Sequence, residues 1–376
     1  MKIGIVTIHK ILNYGSALQA YALQYYMSKV ANCRCEIIDY IFPNEYHIKN
    51  RKYSFSQLLK RKLHFLKLRL KPSYNQMRDS FELFWKQEYN LSDKEYKTRS
   101  SITKEPPKYD FLVTGSDQVW NTKSLSGDDV FMLSFCKDST PRISYAASFG
   151  IKSINTSYYP NFKNCLLKYQ SISVREDSAL NILKDMGVDR PSIVTCDPTF
   201  LLSSDDYDKL AVKSMLKFDT PYILVYYLSY AFNPMPGILN TLNYVYDRLG
   251  YHVVFLNNVV NGFKGSYSHI SNVGPYDFIN LVKNASFVVT SSFHGTAFSI
   301  IYRKPFKSIS PRLSDGRISE LLRRIGLECN IQYTDAKEIN WTDEKVYTDV
   351  FEQLFLKYVE TSKSFIKSNI NALKII

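Results

Sequence analysis

A chain of 376 residues that is 45% hydrophobic and free of low-complexity tracts carries enough apolar material for two cores, so two globular domains are expected. Its formal charge of +13 favours anionic partners: phosphorylated ligands, nucleic acid or a membrane face. Residues 1–8 turn polar too soon for a signal peptide, no apolar run reaches membrane-spanning length, and the six scattered cysteines lack zinc spacing, so the expectation is a cytoplasmic protein with reduced cysteines and no metal.

Residues 2–8 are rich in Ile and Val, as a central parallel strand would be. Asn13, Tyr14 and Gly15 form a turn, 17–28 has helical spacing, and 35–40 is the next strand, which together open a Rossmann-like unit. The turn holds Gly15 but no G-x-G-x-x-G, which argues against a dinucleotide cofactor. From 47 to 78 the character changes. Basic residues crowd in, no Asp or Glu falls between Glu45 and Asp79, and Phe55, Leu58, Leu59, Leu63 and Leu66 recur at roughly helical intervals. This basic amphipathic stretch, inserted in the first domain at about 47–90, suits either an anionic membrane surface or a solvated helix on its own domain. No RNA-binding signature accompanies it.

Strands follow at 109–114, 142–150, 170–174 and 192–195, with a helix over 177–186. Asp117 lies just past the first of these, where open α/β sheets place ligands, although an Asx turn or helix cap would use it equally well. Arg175 ends another strand and could bind an anion or pair with a neighbouring carboxylate. The acidic run 204–208 fits a capped helix start better than a metal site. The first domain spans about 1–210.

The strand–helix pattern restarts over 220–345, with strands at 222–228, 251–256, 287–290 and 307–309 and helices at 236–249, 277–283 and 317–325. Residues 257–276 read as loop, and 346–376 as a helical segment returning to the first domain. Two such units imply a cleft between them. Ser291, Ser292 and Gly295 interrupt the strand 287–290 before a short helix over 296–301. This turn offers backbone N–H groups as an anion cradle, with His294 as its titratable group or as a plain helix cap.

Taken together, Ile3–His9 with Asn13-Tyr14-Gly15, Gly115–Asn121, Tyr145–Gly150, Ser173–Glu176, Asp197–Leu201, Ser291–Gly295 and Arg317-Ile318 resemble the polysaccharide pyruvyl transferase family in the expected order. The resemblance implies a fold similar to the two-domain GT-B glycosyltransferases, with two Rossmann-like domains facing across a cleft. It also implies phosphoenolpyruvate as donor and a sugar acceptor on a glycan or lipid-linked precursor. Many members carry Arg two residues before the motif His, where this chain has Ser292.

Ketal formation from an enol phosphate requires an acid, a base and cations for the donor's charges. His294 is assigned as general acid or phosphate binder, and Asp117 as base toward the acceptor. Arg175 and Arg317, with Arg312 behind them, are the candidate cations. Ser292 and Gly295 would line the anion cradle, and Asn13, Tyr14 and Gly15 the acceptor wall. A nucleotide-sugar glycosyltransferase and a non-catalytic glycan- or anion-binding protein are the competing expectations.

Overall fold

The computed structural model describes residues 1–50, 67, 69–229, 232–312, 316–336 and 338–373. The chain divides into two compact units, one of Met1–Leu68, Trp85–Leu201 and Tyr358–Ile376, the other of Arg69–Phe84 and Leu202–Lys357.

The first unit is built on a six-stranded sheet in the order β2-β1-β3-β4-β5-β6. Its strands are β1 (Lys2–Val6), β2 (Arg34–Ile37), β3 (Phe111–Thr114), β4 (Arg142–Ala147), β5 (Ser171–Val174) and β6 (Ser192–Val194). All pairings are parallel, with Ile5 opposite Ile37 on one side and Val113 on the other. Short Ile- and Val-rich runs without polar alternation form these strands because the inner ones are covered on both faces. Trp120, Phe131, Phe149, Phe162 and Leu166 fill one side of the core.

The second unit repeats the plan in the order β12-β11-β10-β7-β8-β9. Here the strands are β7 (Tyr222–Tyr226), β8 (His252–Leu256), β9 (Tyr267–Ile270), β10 (Phe287–Thr290), β11 (Phe306–Ser310) and β12 (Ile331–Tyr333), again paired in parallel. Ile223, Val225, Phe255, Val289 and Ile309 pack against Ile238 and Leu242 of the helix Gly237–Leu249.

Three features depart from the expected pattern. Residues 257–276 contain the edge strand β9, whose sequence Tyr-Ser-His-Ile is mostly exposed and carries no apolar signature. The helix predicted over 296–301 begins at Phe293, because Gly295 is accommodated as a helical residue. Part of the predicted insertion, residues 69–84, groups with the second unit: the Phe84 ring meets Tyr276 edge-on at 5.2 Å, and Asn272 donates to Gln76 at 2.5 Å. The rest of the basic stretch falls mainly on 51–66 and 68, outside the described residues. Within its described part, Arg78 is paired with Asp79 and Glu82.

The acidic run near 204 is a helix start: the side chain of Ser203 caps Asp206 N–H, and Asp206 returns the bond to Ser203. The helix Asp349–Leu373 supplies Tyr358 and Ser362 to the first unit, where Tyr358 donates to Thr195 O and Ser362 Oγ accepts from Cys196 N at 2.8 Å. No helix among the described residues is long and apolar enough to cross a membrane.

Candidate functional site

In each unit the chain crosses from one side of its first strand to the other, which opens a switch point at the carboxyl edge of the sheet. In the first unit that point lies between β1 and β3. The helix Tyr14–Ala31 starts there, with Asn13 as its N-cap, accepting from Ser16 N at 3.1 Å. Tyr14 and Gly15 are the first helical residues, both buried, and the first turn carries no acidic side chain. That leaves an N-terminus suited to negative charge.

Asp117 stands opposite on the β3 side, 9% exposed, with φ of 68°. A left-handed conformation is uncommon outside glycine, and such outliers gather at functional sites. Ser16 Oγ donates to Asp117 Oδ2 at 2.5 Å, and the Gln118 amide donates to Oδ1 at 2.8 Å. Ser16 is a partner of Asp117 that sequence reading missed, although it directly follows the Asn13-Tyr14-Gly15 turn.

Arg175, at the end of β5, is a buried ion-pair centre. It donates to Glu176 and to Asp197, each at 2.9 Å. Burial disfavours its charge, but Glu176, Asp197 and Asp117 outweigh burial and hold the guanidinium above its ordinary value. Of the two readings open from sequence, pairing with neighbouring carboxylates is the one seen. Asp197 in turn accepts from Ser116 Oγ at 3.3 Å, so the network reaches the residue preceding Asp117. A second unforeseen cluster borders the same edge: His9 shares Asp39 with Lys10, at 3.1 and 2.5 Å. Burial acts to raise the Asp39 carboxyl, but the bonds from His9 and Lys10 leave it below the usual value.

In the second unit the switch point lies between β7 and β10. Thr290 Oγ1 donates to Tyr226 O at 2.6 Å, and Ser291 Oγ exchanges bonds with the backbone of Leu228, which stitches the two strand ends together. Ser292 is the N-cap of the helix Phe293–Ile301, its hydroxyl accepting from Gly295 N at 3.3 Å. His294 is therefore not in the turn and does not cap the helix; it is the second helical residue, 8% exposed, with its ring edge-on to Phe293. A side chain at Gly295 would collide with Thr290 Oγ1, which explains the glycine. Arg317 opens the helix Arg317–Arg324 after β11, on the same carboxyl edge, half-buried. Arg312 is engaged by Asp335 at 2.9 Å and lies over the Tyr333 ring.

The first unit thus joins a carboxylate to a helix N-terminus, and the second places an imidazole in the first turn of another helix, with Arg317 at the start of the helix that follows β11. Among the described residues no cluster of His, Cys, Asp and Glu could hold a metal ion.

Two parallel six-stranded sheets of this kind, each with its switch-point loops, define a GT-B-like protein. A Listeria monocytogenes protein assigned as a UDP-N-acetylglucosamine 2-epimerase is similar at a TM-score of 0.50 and 12% identity, over 98% of this chain and 90% of that one. The Methanocaldococcus jannaschii UDP-GlcNAc 2-epimerase in complex with UDP-GlcNAc and UDP gives 0.49 and 14%, over 96% and 99%. Phytolacca americana UGT2, complexed with UDP-2fluoro-glucose and pterostilbene, gives 0.43 and 11%, over 99% and 93%. At the level of sequence the chain belongs to the polysaccharide pyruvyl transferase family, whose profile matches residues 13–311. No curated protein matches it.

Proposed function

We propose that this chain transfers the pyruvyl group of phosphoenolpyruvate to a sugar of a surface-polysaccharide or lipid-linked glycan precursor, forming a ketal, at the cytoplasmic face of the cell membrane. The observation that carries the reading is the family match over 13–311, which contains both switch-point loops.

The chemistry balances without redox change. Two sugar hydroxyls add to carbon 2 of the donor and the C–O bond to phosphate breaks. One hydroxyl proton ends on carbon 3, making the methyl group, and the other leaves with phosphate. In this reading His294 protonates carbon 3 or receives the phosphate. Asp117 takes the acceptor proton: its carboxylate accepts one bond at each oxygen and retains lone pairs for a sugar hydroxyl. The N–H groups of the turn around Ser292 and Gly295, together with Arg317, hold the donor's charges, each charged hydrogen bond contributing about 1.5–3 kcal/mol. Asn13, Tyr14 and Gly15 border the acceptor. Arg175, occupied by two carboxylates, serves to fix the surroundings of Asp117.

Incubation with phosphoenolpyruvate and lipid-linked sugars is expected to release phosphate and to add the mass of one pyruvyl ketal to the acceptor. Consumption of a nucleotide sugar with phosphoenolpyruvate untouched would sink the reading.

A further inference from the structure

At the opposite, amino-terminal edge of the first sheet lies a pocket of about 250 Å³ whose lining includes Arg99, Arg142 and Lys168 but a single carboxylate, Asp129. Its floor is Arg142, the first residue of β4, 1% exposed. The guanidinium donates to three backbone carbonyls, Thr140 at 3.1 Å, Leu133 at 3.4 Å and Lys137, and makes no ion pair among the described residues. Each terminal nitrogen spends one N–H on these carbonyls and keeps a second.

Arginine cannot relieve burial by losing its proton, so a buried guanidinium without a carboxylate stays a full charge in a poor solvent. The other charges do not supply the missing partner. Asp129 is saturated by Arg99, at 3.0 Å, and by Ser134 and Asn161. Lys168 pairs with the exposed Asp138, which is not part of the lining and, though it feels the Arg142 charge, makes no ion pair with it among the described residues. Asn164, exposed on the helix Tyr159–Leu166, adds an amide whose N–H groups can turn inward.

We propose that this pocket is a binding site for a small tetrahedral oxyanion of the phosphate class, held by Arg142 from below and by Lys168 and Asn164 from the rim. It is distinct from the carboxyl-edge site: Asp117 bridges Ala147 at the far end of β4, roughly 17 Å from Arg142 at about 3.3 Å per residue.

The test is titration of the full chain with inorganic phosphate, and separately with glycerol 2-phosphate, by calorimetry at physiological ionic strength. Arg142 itself anchors the 133–140 loop, so the variants are rim substitutions, Asn164→Asp and Lys168→Glu, with unchanged circular dichroism as the folding control. Saturable binding is expected to persist in His294→Ala and to weaken at least tenfold in each rim variant. Tighter binding of glycerol 2-phosphate would identify a phosphomonoester as the natural occupant, and tighter inorganic phosphate the free anion. The site is overturned if wild type shows no saturable binding of either probe, if the rim variants bind like wild type, or if His294→Ala alone abolishes binding.

Discussion

Asp117 combines a left-handed backbone with a carboxylate fixed by Ser16, a residue 101 positions earlier. Holding a non-glycine residue there costs on the order of 1–3 kcal/mol, so the surrounding bonds must over-determine it. The carbonyl of Asp117 supplies part of that, accepting from Ser148 N at 3.1 Å. Lys307 makes a different point about single residues. It is 2% exposed, donates to Cys329 O at 2.8 Å and makes no ion pair among the described residues. Burial depresses its amine from 10.5 to about 8. Below pH 8 the native state bears the full cost of the buried charge, whereas between about 8 and 10.5 only the unfolded chain is protonated, so stability rises with pH across that window. Lys307→Met is therefore expected to stabilise the protein by roughly 1–2 kcal/mol at pH 7, with the gain shrinking toward pH 10.5. Urea melts across this range check it; a gain independent of pH would show that packing, and not the charge, is responsible.

At the scale of elements, the helix Phe293–Ile301 shows how a short buried helix is started. Its residues are all buried, so its first N–H groups depend on local acceptors, and Ser292 supplies one to Gly295. Removing that hydroxyl in Ser292→Ala is expected to cost about 1 kcal/mol, read as a lower denaturation midpoint at unchanged slope. No change would mean that water or Thr290 replaces the cap. The same element shows where sequence legibility ended. A strand over 287–290 was readable as four apolar, β-rich residues, but the start of the helix was not, because Gly295 reads as a breaker until the closeness of Thr290 is known. The edge strands β9 and β12 went unread, being short and without an apolar run, whereas the equally short edge strand β6 was read from its Ile193-Val194 pair. The inner strands could be read because both of their faces are buried.

For the whole molecule, the repeated strand–helix alternation was enough to expect two Rossmann-like sheets, and six parallel strands are found in each. That Asp117 follows a strand end was legible in the sequence; His294 was read into the turn, whereas it is the second residue of the helix Phe293–Ile301. The supporting partners were not legible, since Arg175 meets Asp197 and Ser16 meets Asp117 only through the fold. The charge of +13 has a dense basic stretch at 47–78, for which an anionic membrane surface and a solvated helix on its own domain are the two readings; on the first of them a vesicle assay has a definite outcome. Anionic vesicles are expected to sediment the protein while neutral ones do not, with binding falling as salt rises. Equal recovery with both vesicle types would remove the electrostatic account.

The decisive measurement is acceptor-dependent phosphate release from phosphoenolpyruvate by wild type, His294→Ala and Asp117→Asn, with folding checked by circular dichroism. The proposed chemistry predicts release by wild type and a loss of roughly 10²–10⁴-fold in each folded variant. It is contradicted by wild-type rates in both variants, or by a wild-type protein that leaves phosphoenolpyruvate intact with every lipid-linked sugar offered.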